Sequence, residues 1–150
     1  MASQQGNTVD NTCDVGADVQ TRVKTFRFRK SKSTAVLIFK IDVDALKVVF
    51  DEEIEGSAED VAASLPDTTP RFLVVSFELK HKDGRVSYPL FGLYYNPGGS
   101  STANRMLYAS TKHYFYQTTD ITGKIFDLED SEELTDEWMT QQLEASKTRP

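Results

Sequence analysis

An Asp-Gly pair stands between two long apolar runs, and such a pattern demands an antiparallel hairpin. Residues 71–80 (RFLVVSFELK) form the first run and residues 86–95 (VSYPLFGLYY) the second. Between them lies His81-Lys82-Asp83-Gly84-Arg85, in which Asp-Gly predicts a type I′ turn. Pro89 has no N–H to give a strand ladder, so it is expected at a bulge or on a non-bonded edge. A second pair of strands is read at 34–41 (TAVLIFKI) and 47–54 (KVVFDEEI), joined by an Asp-rich turn at 42–44.

Helical patterns fall between and after these pairs. Val15, Val19, Val23 and Phe26 recur at three- and four-residue spacing, which predicts a helix from Asp14 with that residue as N-cap. Ser57-Ala58-Glu59-Asp60 has the form of a capping box with Asp in place of Glu, opening a short helix that Pro66 ends. After Pro97-Gly98-Gly99-Ser100-Ser101, residues 101–119 are read as a long helix, and 124–128 (KIFDL) as a further short strand. Thr135 is the expected N-cap of a last helix running to about Leu143, with Leu134 and Met139 as its hydrophobic staple and Trp138 on its buried side. The order αββαββαβα predicts an α/β (α+β) fold, a central mixed sheet with helices on both faces, since each amphipathic helix must cover a sheet face. Residues 1–12 are polar and read as a disordered extension, 13–143 as the domain, and 144–150 as a frayed tail.

Composition limits the function. A chain of 150 residues with 39% hydrophobic content can bury a core, at roughly 70% of its unfolded surface. Its net charge of −6 argues against a general binder of nucleic acid, which gains affinity by neutralising phosphates. The start lacks the apolar stretch of a secretion signal, and residues 35–39, the longest aliphatic and aromatic run, are far short of a membrane span. A cytosolic, soluble, monomeric protein is expected. The charge is blocky. Residues 22–32 carry Arg22, Lys24, Arg27, Arg29, Lys30 and Lys32 without an acid, whereas 42–60 and 120–144 are strongly acidic. Such separation can orient an encounter with a partner.

Catalytic and metal-binding constellations are missing from the pattern. Two histidines and one cysteine, Cys13, do not make up a zinc site of the usual kind, and no nucleotide-binding glycine motif occurs. His81, Asp83 and Ser87 flank a hairpin tip open to water, where a triad lacks shielding. No cofactor and no enzymatic activity are expected. Cys13 is expected to be a buried small residue. The segment 106–112 (MLYASTK) instead has the character of a recognition helix, with anchors at Met106, Ala109 or Ser110, and His113. The aromatic continuation to Tyr116 is expected to pack one helix face on the sheet. The Phe26-Arg27-Phe28-Arg29-Lys30 cluster is open to three readings: a helix end with both Phe residues in the core, a surface for an acidic partner, or a single-stranded nucleic-acid site.

Several of these stretches together resemble the actin-depolymerising-factor homology family, and within it the glia maturation factor branch. They are Cys13-Asp14-Val15, residues 24–30 (KTFRFRK), Pro70-Arg71-Phe72, residues 83–90 (DGRVSYPL), the MLYASTK segment and residues 130–138 (DSEELTDEW). The resemblance implies a non-enzymatic protein that binds the actin-related-protein two/three complex, inhibits branch nucleation and promotes debranching. It implies residence in the cytoplasm at the actin cytoskeleton, in cortical actin patches, with a nuclear pool as a further expectation. Actin at branch junctions is a second implied partner; nucleic acid and membrane are not. By this resemblance one partner surface uses Arg22, Arg27, Arg29, Arg105, Met106, Ser110 and Lys112. A second uses Lys82, Asp83 and Arg85 with Glu132, Glu133 and Glu137. The alternatives are a cofilin-type actin binder and severing protein, and a single-stranded nucleic-acid binder using the Phe/Arg cluster.

Overall fold

The computed structural model describes residues 13–30 and 32–147, so the expected disorder of 1–12 and of 148–150 lies outside the described residues. Its elements in chain order are β1 (Asp14–Val15), α1 (Ala17–Arg27), β2 (Ala35–Asp42), β3 (Lys47–Glu55), α2 (Ala58–Ser64), β4 (Arg71–Ser76), β5 (Leu79–Lys80), β6 (Val86–Ser87), β7 (Leu90–Tyr95), α3 (Thr102–Thr118), β8 (Ile125–Leu128), a 3₁₀ turn (Ser131–Glu133) and α4 (Asp136–Lys147). A six-stranded sheet has the order β1-β3-β2-β4-β7-β8. The inner pairs are antiparallel, and the outermost pairs, β1 with β3 and β7 with β8, are parallel. The expected mixed sheet with helices on both faces is the one observed.

The central strands are apolar at nearly every position because both of their faces are covered. Ala35, Leu37, Phe39 and Ile41 of β2 join Phe72 and Val74 of β4 under α1 and α3. Val36, Ile38, Leu73 and Val75 point the other way, toward α2 and α4. Ring contacts concentrate on the α3 side, where Phe72 stacks with Phe115 at 4.9 Å between centroids. Gly92 in β7 makes room for this layer, since a β-carbon there would lie 2.6 Å from the Tyr116 ring.

Several expectations are corrected. Asp14 does not cap α1. It pairs in parallel with β3 and donates its N–H to the Leu46 carbonyl at 3.0 Å, while Gly16 takes the N-cap position. Burial of Cys13 and Val15 on either side of Asp14 holds this segment extended. The two long runs of the hairpin each break. The main ladder ends at Ser76 and resumes at Leu90, and Pro89, lacking an N–H, contributes only its carbonyl, which accepts from Phe77. The tip then pairs separately as β5 with β6. Its turn is not type I′: only Gly84 has positive φ, at 93°. Gly84 donates to the His81 carbonyl and His81 to the Arg85 carbonyl, the pattern of a type I turn followed by a left-handed glycine.

The caps of α2 and α4 are as expected. Ser57 and Asp60 form the reciprocal capping box, and the Thr135 hydroxyl accepts from Trp138 N–H at 3.0 Å. Leu134 and Met139 are both buried, whereas Trp138 is only half-buried. Helix α4 continues past Leu143 to Lys147, so residues 144–147 belong to the helix and not to a tail. Leu143 is buried against the sheet, which anchors this last turn.

Candidate functional site

Helix α3 is the element that carries the recognition residues, and its start is closely specified. The Ser101 hydroxyl caps it by accepting from Asn104 N–H at 3.1 Å. Tyr108, Thr111, Phe115 and Tyr116 face the core. Two hydrogen bonds then fix the helix to the sheet and to the chain entering the domain. The Tyr108 hydroxyl accepts from Ile41 N–H at 2.9 Å, and Thr111 Oγ1 accepts from Cys13 N–H at 3.1 Å. The Thr111 hydroxyl in turn donates a hydrogen bond to the Leu107 carbonyl.

The opposite face of α3 is open. Arg105, Met106, Ala109, Ser110 and His113 are exposed, and Met106 leaves 64% of its surface in solvent. An unbranched thioether held on a rigid, doubly anchored helix is a ready apolar knob. The aromatic run divides: Phe115 and Tyr116 are buried as expected, but Tyr114 is exposed. Lys112 is partly committed within the protein, pairing with Asp127 at 3.0 Å and lying 5.0 Å over the Tyr94 ring. Tyr94 itself is buried, and burial, with Asp127 adding to it, pushes its phenol up to about 12. Burial likewise pushes up the Cys13 thiol, which removes it as a reactive group.

The arginines expected to join this face are placed elsewhere. Helix α1 lies beside α3 on the same face of the sheet, and its last turn meets the end of α3, not the start. Arg27 donates to the carbonyls of Thr119 and Asp120, capping α3. Those carbonyls are 13 and 14 residues beyond Met106, about 20 Å along the helix axis. Arg29 pairs with Glu55 at 2.9 Å, at the same end. Arg22 is exposed, with its guanidinium 3.8 Å over the Phe50 ring. A groove of about 590 Å³ runs beside α1, with Arg22, Thr25, Phe26, Arg29 and Glu53 among its walls. The structure therefore leaves Arg105, Met106 and Ser110 exposed near the start of α3, places Lys112 at the flank of the helix against Asp127, and sets Arg27 and Arg29 apart from them.

Phe28 corrects a further expectation. Phe26 is in the core, but Phe28 is 72% exposed. Two residues on a helix are separated by about 200°, so an alternating Phe-Arg-Phe cannot send both rings inward. The second expected surface also divides. Lys82, Asp83 and Arg85 are exposed at the hairpin tip, where Arg85 beside Asp83 holds that carboxyl below its usual range and pairs with it at 2.7 Å. Glu132, Glu133 and Glu137 are exposed around the start of α4. The hairpin base packs near Leu143 instead, six residues after Glu137 and about 9 Å further along that helix.

Among the described residues, no group of three or more His, Cys, Asp or Glu is placed to hold a metal ion, and no helix is long and apolar enough to cross a membrane. A curled mixed sheet between two helix pairs is the actin-depolymerising-factor homology fold. The family of cofilin/tropomyosin-type actin-binding proteins matches residues 12–144. Glia maturation factor beta of Homo sapiens is 42% identical over 132 residues, which is 87% of this chain and 92% of that protein. Glia maturation factor of Drosophila melanogaster is 36% identical, over 87% of this chain and 95% of that one. The solution structure of glia maturation factor from Caenorhabditis elegans superposes with a TM-score of 0.74 at 32% identity, covering 87% of this chain and 95% of that one. The chain belongs to the actin-depolymerising-factor homology family, in its glia maturation factor branch.

Proposed function

We propose that this protein binds the actin-related-protein two/three complex, inhibits nucleation of new actin branches and promotes removal of existing ones, without catalysing a reaction. The observation that carries this reading is the exposed Met106 on an anchored helix, with Arg105 and Ser110 exposed beside it and Lys112 at the helix flank. Met106 enters a groove on an actin-like subunit, Ser110 permits close approach, and the cations pair with its rim. Binding acts by favouring a branch-incompetent state, which requires higher affinity for that state than for the competent one. The hairpin tip at Lys82, Asp83 and Arg85 forms a second contact, reaching actin at the branch junction, and the acids Glu132, Glu133 and Glu137 at the start of α4 form a separate one. The protein works as a monomer in the cytoplasm, at cortical actin patches, with the nucleus as a second location.

The test is microscopy of pre-formed branched actin networks, with unbranched filaments alongside. Loss of branches with intact unbranched filaments is the expected result. Severing of both moves the protein to the cofilin class. No effect on either, together with no binding to the purified complex, overturns the proposal.

A further inference from the structure

The β2–β3 hairpin carries two exposed apolar side chains that the packing of the domain does not require. Its four-residue loop, 43–46, is closed by the Asp42 carboxylate, which accepts from Asp44 and Ala45 N–H at 3.1 and 3.2 Å. The last loop residue, Leu46, has φ 53°, in the left-handed region where a β-carbon is crowded and where Gly or Asn is preferred. Its side chain is also 55% exposed, and Val43 is 53% exposed in the same loop. One other described non-glycine residue has positive φ, Asp120, and it has an evident role. There Ile121 N–H reaches the Tyr116 carbonyl and Asp120 N–H the Gln117 carbonyl, the Schellman termination of α3, at a position short polar residues tolerate. The Leu46 backbone serves the fold, since its carbonyl accepts from Asp14 N–H, but Gly or Asn would adopt that conformation with less crowding, and the leucine side chain gains no burial in return.

Its position is what gives this meaning. Asp14 N–H donates to the Leu46 carbonyl, and the neighbouring Cys13 N–H donates to Thr111 of α3. At the other side of the loop, Ile41 N–H donates to Tyr108 of α3. Two residues earlier on β2, Phe39 lies against Phe115, 5.2 Å between ring centroids, so advancing along β2 toward the loop is advancing from the end of α3 toward its start. The loop therefore stands at the same end of the molecule as the start of α3. A contact patch of standard size, about 800 Å² per partner, is roughly 30 Å across and takes in both.

We propose that Val43 and Leu46 form a second apolar anchor for the partner that receives Met106, so that the contact face spans the α3 start and the β2–β3 hairpin tip. This rests on the partner reading above. Exposed Asp14, Asp44 and Lys47 flank the tip, two acids to one cation, so the matching feature on the partner is an apolar recess whose rim is polar and predominantly basic, whereas Arg105 at α3 meets acids or carbonyls.

Leu46→Asn separates binding from folding, because Asn accepts the left-handed backbone. Affinity is measured against purified actin-related-protein two/three complex for wild type, Leu46→Asn, Val43→Ser and Met106→Ala, with a melting curve for each. The expected result is a fivefold or greater loss of affinity for Leu46→Asn and for Val43→Ser, with the Leu46→Asn melting temperature unchanged or raised. Wild-type affinity in both loop variants, with loss in Met106→Ala, overturns the hairpin anchor and leaves the partner reading intact. Wild-type affinity in all three variants overturns the whole face. Absence of wild-type binding overturns the partner reading and this inference together.

Discussion

Tyr94 and Tyr116 show how two buried phenols on one face of the sheet can have opposite energetic signs. The Tyr116 hydroxyl lies 3.0 Å from the carbonyls of both Leu73 and Leu93 and shares its proton between them. The Tyr94 hydroxyl is buried with no partner among the described residues. An intramolecular hydrogen bond is worth about 1 kcal/mol net, and an unsatisfied buried hydroxyl costs about 1–3 kcal/mol. Tyr116→Phe is therefore expected to destabilise by about 1–2 kcal/mol, and Tyr94→Phe to be neutral or stabilising, both read from urea unfolding midpoints. Equal destabilisation would contradict the assignment. Alkaline pH adds an independent check. Both phenols titrate above their ordinary value of 10 in the folded state, chiefly through burial. Below pH 10 folded and unfolded chains hold these protons equally, and the stability they confer is fully present. Above pH 10 the unfolded chain releases protons that the folded chain keeps, so stability falls at about 1.4 kcal/mol per pH unit for each tyrosine. For Tyr94 this loss runs to about 12. Each Phe substitution should flatten the decline by one proton's worth.

Helices α1 and α3 were legible from residue pattern, whereas the cap of α1 and the helices' mutual arrangement were not. Val19, Val23 and Phe26 form the buried stripe of α1, and local spacing of that kind specifies a helix, but Val15, read as the first member of the stripe, belongs to β1. β1 is two residues long and exists only because residues 47 and 48 pair with it from 33 positions away. No window on the sequence contains that contact. The hairpin tip was misjudged by one position, since Asp83-Gly84 occupies the last two turn positions instead of the central two. Likewise, nothing local indicates that Arg27 caps α3 from a neighbouring helix. That cap makes a prediction. Arg27→Ala should cost about 1 kcal/mol of stability by freeing the last carbonyls of α3, a midpoint shift of a few degrees. The Asp120 carboxylate, 3.8 Å away and 83% exposed, contributes little of this, so Asp120→Asn should be nearly silent. If both variants melt like the wild type, the inter-helix cap carries no energy.

On the scale of the whole molecule, the two ends of the α1–α3 layer should separate kinetically. The resemblance placed Arg22, Arg27 and Arg29 on one surface with Arg105, Met106, Ser110 and Lys112, because motif matching reports which residues occur and not which end of a helix they reach. The fold sets Arg27 about 20 Å from Met106 and spends its guanidinium on carbonyls of the same chain. Arg105 is exposed beside Met106, within a protein of net charge −6, so it can steer an encounter whose apolar contact Met106 then completes. Desolvated anchors govern dissociation, and rim charges govern association and its salt dependence. Met106→Ala is accordingly expected to raise the dissociation rate by tenfold or more, about 1.4 kcal/mol, with association unchanged. Arg105→Glu should slow association severalfold and flatten its dependence on ionic strength, leaving dissociation nearly unaltered. Arg27→Ala should change neither rate beyond its effect on the folded fraction. Stopped-flow measurements on the purified complex at low and physiological salt read all three. A dissociation rate in Arg27→Ala as fast as in Met106→Ala, with the fold intact, would extend the contact face over the full length of α3.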